Sequence, residues 1–430
     1  MPSMSDTELP AETAPPPSPV RIASCELETG RLQVTWRDER PAESAPFGFA
    51  ERDNPRRAFL FVSRVLGRHV PVRPATMRRA FTRLADGIPA ELPGPLVVTG
   101  MAETAVGLGA GVHDAYLART GREDVLFLST TRAHLADPPF ATFVEAHSHA
   151  SAHRVHRPQH EEDLARLLGA RSLVMVDDEA SSGATFRHLA HALIEAGVNA
   201  LEHIHTAVLT DWTDANGPAL VPTASGGERL RRTRSALLRG RYEWTPRPDA
   251  PRRTLPDADT PREARVRPIP REDDGRLGRS SRSRVDCPPA LREALRGSRG
   301  PVTVLGTGEH VWEPFLVAEA LERDGHDVRF SATTRSPILI GHEVRRGYAF
   351  ADHEGLGITN YLYNVDPRAC ERVVLCADTS LEALDPGLLK VLGADVLVGE
   401  RFYAREELAA RVGAAPPAHE LAAGAADGRR

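Results

Sequence analysis

Between Arg171 and Leu189 the chain reads RSLVMVDDEASSGATFRHL, an order of residue types that few folds accommodate. Leu173 to Val176 form an unbroken apolar run, as a parallel strand buried on both faces requires. Phe186, Leu189, Leu193 and Ile194 then recur at the helical period until Gly197. A strand therefore enters a turn, and the turn a helix. Asp177 and Asp178 fall at the carboxyl end of the strand, while Ser181, Ser182, Gly183, Ala184 and Thr185 open the helix. Free backbone N–H groups and the positive dipole end make that opening a phosphate cradle. Adjacent carboxylates beside it can accept hydrogen bonds from vicinal hydroxyls and hold Mg²⁺ through water. The ligand expected is a sugar phosphate or nucleotide.

At these residues the chain resembles the type I phosphoribosyltransferases, whose phosphoribosyl pyrophosphate (PRPP) motif is an apolar strand, two acids and a small-residue loop ending in Thr-Gly-x-Thr. Here the ending is Ser182-Gly183-Ala184-Thr185, in which Ser keeps the hydroxyl of the usual Thr. The resemblance implies an α/β fold: a mostly parallel sheet with helices on both faces and the ligand at the carboxyl ends of the strands. It also implies Mg²⁺ as cofactor, held by Asp177 and Asp178.

At 430 residues the chain exceeds one typical domain of about 150, so two domains and linkers are expected. A net charge of −5 gives no general electrostatic attraction to nucleic acid or membrane surfaces. None of Cys25, Cys287, Cys370 and Cys376 lies in a CxxC pair, which argues against a disulfide framework or a zinc site and for a reducing, cytoplasmic setting. Residues 1–20 lack a basic start and an apolar core, so they read as a disordered tail rather than a signal peptide. No stretch is long enough to span a membrane.

Within the expected first domain, 21–223, Arg31 to Trp36 read as a strand. Arg56, Arg57, Arg64 and Arg68 could meet a phosphate, yet for any one of them a solvated face on an amphipathic helix is the better reading. Leu96 to Thr99 form a strand leading into a Gly-rich turn and helix. By position this turn resembles the family's pyrophosphate loop, with Gly100, Met101, Ala102, Glu103 and Thr104 as contacts. Glu103 departs from the pattern, since an acid repels pyrophosphate unless it meets Mg²⁺ or a donor; a simple helix-capping role is the alternative. The strand Val125 to Leu128 delivers Arg132, whose fork suits a phosphate.

The interval before the acid pair carries FVEAHSHASAHRVHRP. Long loops inside an α/β domain are usually functional, and the family has a catalytic loop here, so the resemblance makes Glu145 catalytic with Arg132, Asp177 and Asp178. His147 and His149 would touch the acceptor; a metal site formed with His153 is the other reading. After the strand Leu201 to Thr210, Trp212 could stack on the acceptor or close the core.

Residues 224–285 are rich in Arg, Pro, Gly and Asp and read as an interdomain linker whose arginines could touch RNA. Residues 286–411 form a second α/β domain, and 412–430 a disordered tail. The second domain echoes the first: PLVVTGMAETAVGLG returns as PVTVLGTGEHVWEPFL, FLSTTRAHL as FSATTRSPIL, and LVMVDDEASSG as RVVLCADTSLEA. Glu103 precedes Arg132 by 29 residues and Glu309 precedes Arg335 by 26. This degenerate copy keeps Gly306, Gly308, Glu309 and Arg335 but only Asp378 of the acid pair. A dinucleotide motif at Gly306-Thr307-Gly308 is weak, because Val311 holds the third glycine position.

Thr334-Arg335-Ser336-Pro337 resembles the signature of phosphoribosyltransferases with a C-terminal TRSP domain, which occur beside bacterial tellurium-resistance and stress genes. The resemblance implies a cytoplasmic phosphoribosyltransferase acting on PRPP and an unidentified acceptor, with Arg335 and Glu309 on the acceptor side and homodimerisation left open. The alternative is a non-catalytic PRPP-sensing regulator or scaffold that contacts RNA, DNA or protein.

Overall fold

The computed structural model describes residues 18–40, 45–52, 54, 57–144, 152–213, 230–250, 275–283 and 286–421. The longest apolar runs become inner strands, because a strand covered on both faces has no position left for polar side chains. The strands of the first half are β1 (Arg21–Glu26), β2 (Gly30–Asp38), β3 (Phe47–Glu51), β4 (Phe59–Ser63), β5 (Leu96–Gly100), β6 (Val125–Phe127), β7 (Ala141–Val144), β8 (Ala152–Val155), β9 (Ser172–Ala180), β10 (His203–Asp211) and β11 (Arg231–Pro246), of which the apolar β5, β9 and β10 are inner strands of the main sheet. Helices α1 (Pro74–Ala85), α2 (Val106–Thr120), α3 (Glu161–Leu168) and α4 (Ala184–Glu195) connect them. The sheet order is β1-β2-β11-β10-β9-β5-β6, parallel from β11 to β6, with β1 and β2 antiparallel at one edge.

The second half contributes α5 (Pro289–Ala294), β12 (Val302–Gly306), α6 (Trp312–Arg323), β13 (Val328–Ala332), β14 (Gly347–Ala351), β15 (Thr359–Tyr363), β16 (Arg372–Ala377), α7 (Pro386–Leu392), β17 (Asp395–Val398), β18 (Arg401–Tyr403), α8 (Arg405–Val412) and β19 (His419–Glu420). Its sheet runs β13-β12-β16-β17-β18. The mostly parallel α/β architecture expected from the sequence is the one observed.

The internal echo is structural as well. The order β6-β5-β9-β10 of the first sheet reappears as β13-β12-β16-β17, with a hairpin (β7–β8, β14–β15) after the second strand of each set. Gly100 stands opposite Val176 and Gly306 opposite Cys376, which places Asp178 level with Asp378. The strand-end turns match bond for bond. Thr130 donates its N–H to Gly100 O at 3.0 Å and Thr333 does the same to Gly306 O at 3.0 Å. The Thr130 and Thr333 hydroxyls accept from Ala102 N and Gly308 N, each at 2.8 Å. Glu103 and Glu309, and Arg132 and Arg335, are therefore equivalent positions.

One apolar cluster runs through both halves, joining Met77, Phe81 and Val106 to Trp312, Phe315 and Phe330. Close approach at α2 depends on absent side chains. A Cβ at Gly109 would stand 2.5 Å from the Gly100 Cα, and one at Gly111 would enter the Phe81 ring.

Two boundary expectations are corrected. The interval 224–285 is not simply a linker: β11 is an inner strand between β10 and β2, with Ala236, Leu237 and Leu238 buried. Two of its arginines meet Asp211, Arg234 at 3.4 Å and Arg239 at 3.6 Å, so charge that read as solvated is spent in the sheet. Arg279 also bridges to Phe127, fixing 275–279 against β6. The expected C-terminal tail is ordered as far as β19, where Ala349 pairs with His419 and Tyr348 with Glu420. Among the described residues, no helix is long and apolar enough to cross a membrane.

Candidate active site

The carboxyl ends of β5 and β9, the β3–β4 hairpin and the second half enclose a cavity of about 410 Å³. Its floor is β9, which stays apolar through Val176 and then presents Asp177, Asp178 and Glu179, all half-buried. The turn beyond them closes with Gly183 in the left-handed region (φ 66°), where a residue with a Cβ is strained, and α4 begins at Ala184. Ser181, Ser182, Gly183 and Thr185 line the cavity; Ala184 lies in the same turn without lining it.

The second wall is Met101 to Thr104. Gly100 does not face the cavity. It is packed so that a Cβ would lie 2.7 Å from Ala105 O. Glu103 has its counter-charge in Arg68, whose Nη1 lies 2.9 Å from the carboxylate. The same buried guanidinium donates to Glu103 O at 2.8 Å, and to Gly308 O and Thr333 O at 2.7 Å each. Arg68 thus ties the loop to the second half and supplies the donor that an acid in this position needs. Burial pulls the Arg68 pKa below its usual value against the pull of Glu103 and Glu309.

Arg132 lines the cavity, its side chain reaching Ala102 O at 3.4 Å. Glu309 does not line it: the carboxylate accepts from Arg132 N at 2.7 Å and from the Thr131 hydroxyl. Its expected place on the acceptor side is corrected to a brace for the Thr131–Arg132 turn. Arg335 does line the cavity, paired with Glu354 rather than Glu309. Burial opposes its charge, but Glu354, Glu103 and Glu309 outweigh that and hold its pKa above the ordinary value.

Trp212 is corrected from the acceptor side to the core: it is 5% exposed, stacked on Phe61 at 4.6 Å and edge-on to Phe47. Glu145, His147 and His149 lie outside the described residues. His153 is buried, stacked on Phe143 at 4.6 Å, with Nδ1 3.1 Å from the Thr130 hydroxyl. Among the described residues no group of three or more His, Cys, Asp or Glu could hold a metal ion by itself.

Several lining residues were not legible in the sequence: Arg52, Leu60, Phe61, His69, Glu179, and from the second half Gly357, Ile358, Thr359 and Tyr361. Arg57, one of the arginines the sequence offers to a phosphate, does line the cavity, and it pairs with Glu179, third in the acid run. The electrostatics are shared among these groups. Burial first, then Glu179, pushes Asp178 up to about 6, against the opposing effects of Asp177 and Arg57. Burial lowers His69 to about 3, so that imidazole is neutral.

A parallel sheet with an acid pair and a phosphate-type turn at its carboxyl edge, facing a second small-residue loop, defines a phosphoribosyltransferase-class domain. Residues 47–240 match the family model described as phosphoribosyl transferase, and residues 274–392 the model of the TRSP domain C-terminal to it. The chain belongs to this two-domain phosphoribosyltransferase family. Similar solved structures include adenine phosphoribosyltransferase from Rhodothermus marinus, 14% identical with TM-score 0.24, covering 38% of this chain and 80% of that one. The adenine phosphoribosyltransferase from Trypanosoma brucei, in complex with AMP, pyrophosphate and ribose-5-phosphate, is 12% identical with TM-score 0.29, covering 46% and 82%. A hypoxanthine phosphoribosyltransferase from Staphylococcus aureus is 12% identical with TM-score 0.22, covering 40% and 79%. Likeness at this level assigns no residue. No curated protein matches the chain.

Proposed function

We propose that the protein transfers ribose 5-phosphate from PRPP to a nucleophilic acceptor, with Mg²⁺ entering alongside the substrate. The observation that carries this reading is the convergence of Asp177–Asp178, the Ser181–Thr185 turn, the Met101–Thr104 loop and Arg132 on one cavity. The amides of the turn would hold the 5-phosphate, and the two carboxylates the ribose hydroxyls. Met101–Thr104 and Arg132 would hold the pyrophosphate, with Arg68 offsetting the charge of Glu103.

Adjacent carboxylates that, among the described residues, form no cage of three or more protein ligands suit a hard cation that keeps several waters and is shared with substrate phosphates, as Mg²⁺ is. When bound, it would neutralise charge on the leaving pyrophosphate. In the transfer, the bond from the anomeric carbon to the pyrophosphate oxygen breaks with its electron pair leaving on oxygen. Cationic character at the sugar is favoured by Asp177 and Asp178 beneath it. The acceptor's lone pair forms the new bond, and its proton passes to the departing pyrophosphate, a base released in the same cavity.

A screen of bases and small nucleophiles for pyrophosphate release from PRPP tests the reading. Release is expected with at least one acceptor in the wild type and with none after Asp177→Asn and Asp178→Asn together. Release unaffected by that double substitution would contradict it.

A further inference from the structure

We propose that the C-terminal domain is an in-chain partner subunit: it builds the acceptor wall of the cavity, where Ser336, Ile358, Thr359 and Tyr361 set acceptor specificity, and its own counterpart site is closed. This rests on the transferase reading above, in which one side of the cavity belongs to PRPP.

Beside the charged groups of Arg52, Arg57 and Glu179, most of the lining that remains once the PRPP segments are assigned comes from two places. Leu60 and Phe61 belong to the β3–β4 hairpin, whereas Thr334 to Pro337, Gly357 to Thr359 and Tyr361 belong to the second half. The loop between β14 and β15 is held from within, since the Asp352 carboxylate accepts from Glu354 N at 2.9 Å, Leu356 N at 2.9 Å and Gly357 N at 2.8 Å. A backbone fixed in this way presents Ile358 and Thr359 at constant positions. The TRSP turn is fixed too: Thr334 bridges to Tyr361, and the Tyr363 hydroxyl donates to Ser336 O at 2.8 Å. Such support is what a specificity wall requires, because a side chain that drifts cannot discriminate.

The chemistry of the wall selects the acceptor. The arginines on this side of the cavity are engaged: Arg335 is paired with Glu354, Arg57 with Glu179, and Arg52 donates through Nε to Arg57 O at 2.9 Å. An acidic acceptor would have to break those pairs. What is left is the apolar surface of Leu60, Phe61, Ile358 and Tyr361 with the hydroxyls of Ser336 and Thr359. Flat apolar surface with a few fixed donors and acceptors fits an uncharged planar heterocycle.

The counterpart site in the second half is closed in two ways. Asp378, level with Asp178 in the repeat, receives Arg276 Nη2 at 2.7 Å, and that arginine is 4% exposed. Where the first half runs from its turn straight into α4, the second inserts a short 3₁₀ turn, Leu381–Ala383, and the helix that follows, α7, is capped at its N-terminus by the Asp385 carboxylate, which accepts from Leu388 N at 2.9 Å. Each chain therefore carries one ribose-phosphate site.

Calorimetric titration of the full chain, with Mg²⁺ present, tests both parts. The probes are ribose 5-phosphate and the mononucleotides AMP, GMP, IMP, UMP and CMP. One ribose 5-phosphate should bind per chain, and at least one mononucleotide should bind tenfold tighter or more. Thr359→Trp adds bulk at an exposed position, so the fold should tolerate it. It should weaken that mononucleotide at least tenfold while leaving ribose 5-phosphate within twofold; Tyr361→Ala should shift the preference among bases. Unchanged mononucleotide binding in both variants, or no gain from any base in the wild type, overturns the acceptor wall. Two ribose 5-phosphates per chain overturn the closed site. Failure of the wild type to bind ribose 5-phosphate at all overturns the transferase reading, and this inference with it.

Discussion

Glu309 accepts a hydrogen bond from the backbone N–H of Arg132 at 2.7 Å, so a carboxylate of the second half fixes the turn that carries a cavity arginine of the first. Its repeat equivalent, Glu103, does not return the favour to Arg335; it takes the guanidinium of Arg68 at 2.9 Å. The two halves thus use one repeat position differently, once as a brace and once in the cavity wall.

Replacing Glu309 by Ala strands a buried N–H and the Thr131 hydroxyl. Unsatisfied groups of this kind cost about 1–3 kcal/mol each, so denaturant unfolding should show a loss of about 2–6 kcal/mol for the two. PRPP affinity should fall as well, because Arg132 loses its fixed backbone. Unchanged affinity together with the stability loss would mean that the brace serves folding alone.

Arg68 donates to four acceptors from a site that is 2% exposed. Arg68→Met keeps much of the stem but leaves the Glu103 carboxylate and three carbonyls without their donor. Breaking a buried pair by removing one partner costs about 3–5 kcal/mol, and Arg68→Met should lose at least that much stability. A loss below about 1 kcal/mol, measured by denaturant titration, would show that water replaces the guanidinium without penalty.

Gly109 and Gly107 make a matched pair on α2. A Cβ at Gly109 meets backbone of β5 at 2.5 Å, which cannot yield without moving the loop after Gly100. At Gly107 it meets no backbone within 4 Å among its three nearest atoms, only side chains, the closest being Val311 Cγ2 at 3.0 Å. Gly109→Ala should therefore lower both the thermal midpoint and PRPP affinity, while Gly107→Ala should change each little. Equal effects would refute the close-approach argument.

The raised pKa of Asp178 makes stability depend on pH. Its ordinary value is 3.8 and its folded value about 6, so between those limits the folded chain holds a proton that the unfolded chain has released. Stability from this group is complete below about 4 and is lost as pH rises through 6. Glu179→Gln removes a repelling charge and frees Arg57, and both changes lower the Asp178 value. The wild type should then lose more stability than the variant between pH 4 and 7, as read from denaturant midpoints. Parallel curves would contradict the assigned cause.

The acid pair, its turn and the repeat were legible because they are local: a buried strand and the residues that leave it are contiguous in sequence. β11 was not, since its arginines are neutralised by Asp211 on another strand and only Ala236 to Leu238 mark its core register. The partner of Glu103 lies 35 residues away in Arg68, and that of Arg132 N lies 177 away in Glu309, so neither role has a sequence signature. Trp212 shows the converse: an aromatic next to the site turned inward because Phe47 and Phe61 offered it a packed surface.

Isothermal titration of PRPP with Mg²⁺ into the full chain, wild type beside the Asp177→Asn, Asp178→Asn double variant, addresses the central claim most directly. The substitutions keep volume and remove charge, so the fold should survive, as circular dichroism can verify. Mg²⁺-dependent binding is predicted in the wild type and a loss of at least tenfold in the variant. Equal binding by the two proteins, or no binding by the wild type, would contradict the assignment of this cavity as the PRPP site.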